Sequence, residues 1–272
     1  MSLAESSLAH VRLTPIFSAR PARARHLVER GAYAYRRNWF FLVSGFFEPF
    51  FYLLSITVGL SHLVGSVVFA GHVLAYTHFV APGLLATSAM NGAVLDTTFN
   101  FFFKLKVTKL YTAVVATPLS VGDVTLGEAG WAICRGTIYS VGFLAVMAAF
   151  GLISSMWAIV CLPVATLIAA TFACVGLAAT SYLKSWQGLS GILIALLPMF
   201  LFSGTFYAMS VYPHPVALVI EATPLYQGVV LCRAFANGLV GPGLIGHACY
   251  LVVLAGLCLV VAARRLTRLL TP

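Results

Sequence analysis

Six long apolar runs constrain this chain more than any other feature. Each is about 20 residues long, the length at which an α-helix crosses the hydrocarbon core of a bilayer. The runs lie roughly at 41–61, 74–99, 127–150, 157–180, 187–208 and 245–263. They do not alternate between apolar and polar residues, as the strands of a transmembrane barrel do. The pattern predicts an all-α polytopic membrane protein with six transmembrane helices.

Charge is scarce and unevenly placed. Charged residues make up only 8% of the chain and hydrophobic residues 61%, whereas soluble domains average about 25% charged residues. Fifteen of the sixteen lysines and arginines lie in or near one set of connections, and only Arg233 falls in the opposite set. The positive-inside rule then predicts that both termini are cytosolic. The same rule accounts for the net charge of +9 without nucleic-acid binding.

The N-terminal region divides into a tail and an amphipathic segment. Residues 1–25 are polar and are predicted to form a flexible cytosolic tail, ahead of a membrane domain at 26–272. Residues 26–39 show helical periodicity. One face carries Val28, Ala32, Tyr35 and Trp39, and another carries Arg30 and Arg37. This pattern predicts an interfacial helix with aromatic side chains toward lipid and arginines toward head groups.

Three ionisable residues fall inside predicted spans, where charge is costly. Glu48, Asp96 and Arg135 lie at similar predicted depths from the cytosolic ends of the first three spans. A cation shared by two carboxylates would lower the cost of burying each. One hypothesis is therefore an interhelical cluster of the three, and the alternative is that each reaches cytosolic water or a head group alone. A proton-coupled secondary transporter using Glu48 and Asp96 is a further alternative.

Two connections have unusual compositions. The stretch 104–128 carries three lysines, the triplet TPL, and then Asp123 and Glu128 before the next apolar run. We interpret it as a cytosolic helical elbow through which another protein drives this one. The stretch 209–244 contains short apolar segments broken by prolines, which predicts two short re-entrant helices that dip into the outer leaflet.

Motifs for chemistry within the chain are missing. The sequence contains no GxxxxGK[ST] phosphate-binding loop and no paired His/Cys ligand pattern. We therefore expect neither a nucleotide site, nor a metal site, nor catalytic residues in this chain.

Four stretches together resemble the membrane subunits of type 2 ABC exporters, and among them the nodulation-factor export permeases. They are Glu48-Pro49, APGLLATSAMNGAVLDT at 81–97, ATPLSVGDVTLGE at 116–128, and FLFSGTFY at 200–207 followed by Pro213, Pro224-Leu225 and Arg233. Their order and spacing agree from the first span nearly to the C-terminus. Many such permeases carry acidic residues before TPL, whereas KLKVTKLYTAVVATPL has none, which suggests acidic residues in the partner's cleft.

The resemblance implies a bacterial inner-membrane permease that works with a second permease subunit, identical or related, and with two copies of a separate ATPase. ATP and Mg would be bound by the ATPase. A coupling helix at Leu105–Val115 would enter the ATPase, flanked by the interfacial helix. The coupling residues would be Leu105, Lys106, Lys109, Leu110, Val114, Thr117 and Pro118.

The resemblance also implies roles for two further groups of residues. Asp123 and Glu128 would mark the start of the third span, with Glu128 opening its helix. Ser203, Gly204, Pro224 and Arg233 would mark the re-entrant region. The few polar groups in the spans suggest an amphipathic cargo: a lipid, a glycolipid or lipo-oligosaccharide, or a hydrophobic drug.

Overall fold

A computed structural model of the chain describes residues 21–37, 47, 49–60, 64–69 and 71–270. These residues are mostly helical, as the apolar runs predicted. The helices are α1 (Pro21–Arg37), α2 (Pro49–Leu60), α3 (Tyr76–Leu95), α4 (Leu110–Val115), α5 (Val121–Ala149), α6 (Cys161–Tyr182), α7 (Gln187–Phe202), α8 (His214–Glu221), α9 (Pro224–Ala236) and α10 (Leu244–Leu270). Short 3-10 turns at Met156–Val160 and Met209–Val211 precede α6 and α8.

A β-hairpin occupies the connection between α2 and α3. Strands β1 (Ser66–Phe69) and β2 (His72–Ala75) pair antiparallel, with Phe69 opposite His72. Gly71 takes a φ of +79° in the turn, a conformation that glycine adopts without steric cost. The all-α prediction is wrong for this short segment, because its β-branched residues and flanking glycines favour strands.

The second predicted span extends further than its hydropathy indicated. The helix continues beyond Leu95 through two π-helical turns, Asp96–Asn100 and Phe103–Val107. We call the whole segment 76–107 the α3 helix. It stops at Lys109, whose φ of +47° is left-handed. A left-handed non-glycine residue breaks helical continuity. Two further helices end at other positions than predicted. Helix α7 ends at Phe202 instead of residue 208, and α10 continues to Leu270 instead of ending at residue 263.

Several helices have the length and apolarity of membrane spans. Val121–Ala149, Met156–Tyr182 and Leu244–Leu270 each qualify, and α8 with α9 would make a fourth if that pair, bent by 84°, were one span. Helices α2 and α7 are apolar but shorter. The protein is thus a multi-pass membrane protein within the described residues, and the count of six spans stays a prediction.

Two apolar clusters hold the helices together. The larger one joins α2, α3, α5, α6 and α9, with Phe79, Phe143 and Phe172 among its fully buried members. The smaller one lies at the end of the molecule where α1, α4 and the C-terminal part of α10 meet. Basic residues of α1, of the end of α3 and of the end of α10 share that end. The structure therefore groups these basic residues at one end, and the side of the membrane on which that end lies stays a prediction.

Candidate functional site

Within the stretch 104–128 that was interpreted as an elbow, residues 108–120 form the connection between two long helices, and only these residues are called the elbow below. This connection departs from the rest of the bundle. Its only helix in the structure is α4, six residues long. The hydroxyl groups of Thr112 and Thr117 donate to the carbonyls of Lys109 and Val114, at 2.6 Å each. These local bonds hold both ends of α4 in a compact turn.

One side chain anchors α4 in the protein interior. Tyr111 is fully buried in the smaller apolar cluster, with its ring centroid 5.4 Å from that of Phe101. Burial, together with the nearby carboxylate of Glu128, raises the pKa of Tyr111 well above its ordinary value. The tyrosine therefore stays neutral, and its buried ring holds α4 against the smaller apolar cluster. Sequence reasoning missed this residue, because a single aromatic in a charged connection gives no periodic signal.

The predicted coupling residues separate into two groups. Lys109, Thr117 and Pro118 are exposed, and Leu110 and Val114 are half-buried. Leu105 and Lys106 instead belong to the π-helical end of the α3 helix, where Leu105 is buried. The predicted coupling helix at Leu105–Val115 is therefore wrong in its first part, because the left-handed Lys109 separates α3 from α4.

Helix α1 touches the elbow directly. The Arg23 guanidinium donates from Nη1 to the carbonyl oxygen of Pro118 at 2.8 Å. The helix begins at Pro21, so residues 21–25, which were assigned to the flexible tail, are helical. Proline suits the first turn of a helix because its fixed φ is helical. The predicted tail is wrong for residues 21–25, because the helical periodicity of the sequence was recognised only from residue 26.

The face of α1 that packs on α5 includes Val28 of the predicted apolar face and three residues outside it. Ala24, Leu27, Val28 and Gly31 follow helical spacing and face α5. A Cβ on Gly31 would come within 2.6 Å of the Trp131 ring, and one on Gly127 within 2.6 Å of Leu27. Ala32 and Arg30 are exposed. Tyr35 and Arg37 lie in the last turns of the helix, and Trp39 lies outside the described residues.

Of the two acids predicted to mark the start of the third span, Asp123 lies at the helix start and Glu128 does not. Helix α5 begins at Val121, where Ser120 and Asp123 form a reciprocal capping box that satisfies free backbone N–H groups. Glu128 therefore does not open the helix. It lies further along, 8% exposed, and its Oε2 accepts a hydrogen bond from Lys104 Nζ at 2.7 Å.

A buried ion pair lies deeper in the bundle. Nη1 of Arg135 is 3.4 Å from Oδ1 of Asp96, and both side chains are at most 6% exposed. Nη2 of the same guanidinium donates to the Tyr139 hydroxyl at 2.9 Å. The structure brings these two members of the predicted cluster together, whereas Glu48 lies outside the described residues. Arg135 is also nearer the middle of its helix than predicted, because α5 starts earlier.

At the opposite end of the molecule a second arginine is buried. Arg233, 2% exposed, donates to the carbonyls of Phe79 at 2.9 Å and of Gly204 at 2.8 Å, and its guanidinium lies 3.6 Å from the Phe79 ring centroid. It was predicted to lie in an outer loop. The guanidinium can be buried here because three backbone carbonyls accept its hydrogen bonds, those of Phe79, Gly204 and Thr205.

Among the residues predicted for the re-entrant region, Gly204 contacts Arg233 directly. Gly204 takes a φ of +72° in the turn after α7, and the Ser203 hydroxyl donates to the Phe200 carbonyl at 2.9 Å. Pro224 begins α9 directly after the N-cap Thr223. The short helices predicted in this region are therefore present as α8 and α9.

This chain is similar in sequence to a known family of membrane transporters and to several of its relatives. Residues 23–235 match the ABC-2 type transporter family. The chain is 30% identical over 192 residues to nodulation protein J of Rhizobium leguminosarum bv. trifolii, covering 70% of this chain and 72% of that protein. It is 28% identical over 224 residues to nodulation protein J of Rhizobium meliloti (strain 1021), covering 80% and 84%. The same-named protein of Sinorhizobium fredii is 28% identical over 214 residues, covering 76% and 78%.

The family match includes α1, the elbow, the buried ion pair and Arg233. It agrees with the resemblance found in the sequence, and it leaves the proton-coupled alternative without support. The chain therefore belongs to the ABC-2 type transporter family, as a multi-pass membrane permease of an ABC exporter.

Proposed function

We propose that this permease is driven by a separate ATPase that engages the elbow. Two ATPase copies would bind ATP and Mg, and two permease subunits, identical or related, would form the path. The chain itself would break no bonds. The ends of the helices near the elbow would face the cytosol, and the protein would lie in a bacterial inner membrane.

The observation that carries this proposal is the two-sided character of α4. One side is held in the protein interior by Tyr111, while Lys109, Thr112 and Ala113 are exposed. A short helix that is anchored on one side and open on the other can transmit a displacement made by a bound partner. The exposed lysine fits the expectation that the partner's cleft is acidic.

Contacts lead from the elbow into the bundle by two routes. Tyr111 packs in the smaller apolar cluster, which also contains Leu177 of α6 and Leu266 of α10. Arg23 links the C-terminal part of the elbow to α1, which packs on α5. Movement of the elbow would therefore reach four helices. ATP must favour the outward-open arrangement over the inward one for transport to follow.

For the membrane arrangement we propose six spans, formed by α2, α3, α5, α6, α7 and α10. Helices α8 and α9 would form the re-entrant pair, since the chain bends by 84° between them, at Thr223 and directly before Pro224. With both termini cytosolic, the basic residues at the ends of α1, α3 and α10 fall on the inner side.

The cargo we propose is amphipathic: a lipid, a lipo-oligosaccharide or other glycolipid, or a hydrophobic drug. The relatives are named nodulation proteins, and the resemblance to nodulation-factor export permeases favours a lipo-oligosaccharide. The low content of polar residues in the spans suits a molecule with a long apolar part.

A co-purification and ATPase assay tests the drive mechanism. The permease would be expressed with a candidate ABC ATPase subunit, as wild type and as Ala113→Asp, which adds a negative charge on the exposed side of α4. We expect wild type to retain the ATPase and Ala113→Asp to lose it. Val240→Asp, at another exposed position near the opposite end, is the matched control and should retain it.

Two further results complete the assay. Tyr111→Ala should keep the partner but lose stimulation of ATP hydrolysis by a lipo-oligosaccharide, since the anchor rather than the docking surface is removed. Binding of the ATPase to Ala113→Asp as tightly as to wild type would overturn the proposed role of the elbow.

A further inference from the structure

A cleft of about 190 Å³ lies between α1, the end of the α3 helix and the first part of α5. Arg30 contributes from α1, Phe103 and Lys104 from the α3 helix, and Glu128 and Trp131 from α5. The cleft is separate from the exposed side of α4, and its lining residue Asn100 donates a hydrogen bond to Asp96 of the buried ion pair. It lies at the end of the molecule that carries most of the basic residues.

The charges around this cleft favour an anion. Arg30 and Lys104 contribute two positive charges against the single carboxylate of Glu128. Lys104 is held by Glu128 at 2.7 Å. Arg30 is exposed and makes no hydrogen bond or ion pair with any residue that the structure describes. A guanidinium beside a fixed ammonium group is therefore available to a ligand that brings its own negative charge.

The rest of the wall, apart from Asn100, consists of apolar and aromatic residues. Phe103 is 47% exposed beside Lys104, and the Trp131 ring closes the cleft beneath Gly31. A fully hydrated small anion gains nothing from these aromatic surfaces. A molecule with a phosphate at one end and hydrocarbon at the other matches both parts of the lining.

We propose that this cleft binds the head group of an anionic phospholipid, with the phosphate on Arg30 and Lys104 and the glycerol and upper acyl carbons against Phe103. Guanidinium groups bind phosphate oxygens bidentately, and basic pockets between membrane helices on the cytosolic side bind anionic head groups. A soluble phosphate ester shares the phosphate chemistry but not the apolar contact.

The bound lipid would act as a bridge. It would touch α1 through Arg30 and the ends of α3 and α5 through Lys104 and Trp131, the same helices that flank the elbow. The proposal requires the cytosolic placement of this end of the molecule, but it does not depend on the cargo or on the ATPase.

Native mass spectrometry of the detergent-purified full chain tests the site. Phosphatidylglycerol and phosphatidylcholine with identical acyl chains would be titrated separately, and sn-glycerol 3-phosphate would be added as a competitor. We expect tighter retention of phosphatidylglycerol. Arg30→Gln should weaken that retention about fivefold, the factor that corresponds to about 1 kcal/mol per basic residue at a membrane surface.

Arg25→Gln is the matched control, because Arg25 is an exposed arginine of the same helix whose partner is Glu29 at 2.7 Å. It should bind phosphatidylglycerol as wild type does, and Arg30→Lys should retain part of the affinity. Three results would overturn the proposal. They are equal affinity for the two lipids, equal loss in both glutamine variants, and full competition by glycerol phosphate, which would assign the cleft to a soluble phosphate instead.

Discussion

Lys104 and Glu128 form a 2.7 Å ion pair that closes the base of the elbow. One residue lies just before the elbow and the other just after it, 24 positions along the chain. The pair therefore connects the end of the α3 helix to α5 at the point where α4 leaves the bundle. Glu128 is only 8% exposed, so solvent screens this pair less than it screens a surface ion pair.

Glu128→Gln should lower the free energy of unfolding by about 1–3 kcal/mol, because Lys104 loses a charged acceptor in a partly buried place. Thermal or denaturant unfolding of the purified permease measures this effect. The double-mutant cycle with Lys104→Met should give a coupling energy of about 1 kcal/mol. A coupling energy indistinguishable from zero would mean that the pair does not link the two helices.

Arg135→Met should lower the free energy of unfolding by about 3–5 kcal/mol, since it removes the cation from the buried carboxylate of Asp96. Size-exclusion chromatography and unfolding in detergent measure the loss. Tyr139→Phe is the milder control, because it removes only the hydroxyl that accepts from Arg135, and should cost about 1 kcal/mol. An Arg135→Met permease as stable as the Tyr139→Phe variant would contradict this assignment.

Arg233→Lys should fail to replace arginine. The guanidinium reaches the carbonyls of Phe79 and Gly204 through different nitrogens, and an ammonium group cannot reproduce that fork. We expect both Arg233→Lys and Arg233→Met to lower the free energy of unfolding by about 2 kcal/mol or more. Arg268→Lys, at an exposed position of α10, should leave the unfolding curve unchanged. Full stability of Arg233→Lys would show that charge alone is sufficient.

Two glycine substitutions should have opposite effects. A Cβ on Gly136 would come within 2.6 Å of the Ala169 Cβ and 2.8 Å of the Ala89 carbonyl oxygen. Gly136→Ala should therefore destabilise the permease by about 1–3 kcal/mol through overpacking. A Cβ on Gly256 of α10 would meet no atom of the described residues within 4 Å, and Gly256→Ala should stabilise the helix by up to about 1 kcal/mol. Unfolding curves for the two variants compare them, and equal midpoints would contradict the close approach of α3, α5 and α6.

Part of the candidate site could be predicted from the sequence. Counting residues from the predicted helix ends placed Asp96 and Arg135 at similar depth, and the structure brings them to 3.4 Å. Residue types and spacing also located the elbow. The limits of α4 could not be predicted, because they depend on a left-handed Lys109, and residues 101–117 around it contain no glycine or proline. The roles proposed for the exposed residues of the elbow stay predictions until the partner assay is done.

Other contacts had no sequence signal at all. Arg233 and Phe79 are separated by 154 positions, and Arg23 and Pro118 by 95. Each contact joins a side chain to a backbone carbonyl. Every residue carries the same carbonyl group, and only the conformation of the chain decides which one is within reach. Residue type therefore cannot identify the acceptor.

The sequence by itself determined that this chain is a helical membrane protein with basic residues grouped at one end. It could do so because the cost of burying charge and backbone polar groups in lipid acts on each segment separately. Only the tertiary structure decided which face of α1 is buried, where α4 begins, and that Arg233 lies in the interior. Those outcomes depend on which helices approach each other. Gly31 lies beside Trp131, and the Gly204 carbonyl lies within reach of Arg233, only after the helices have packed.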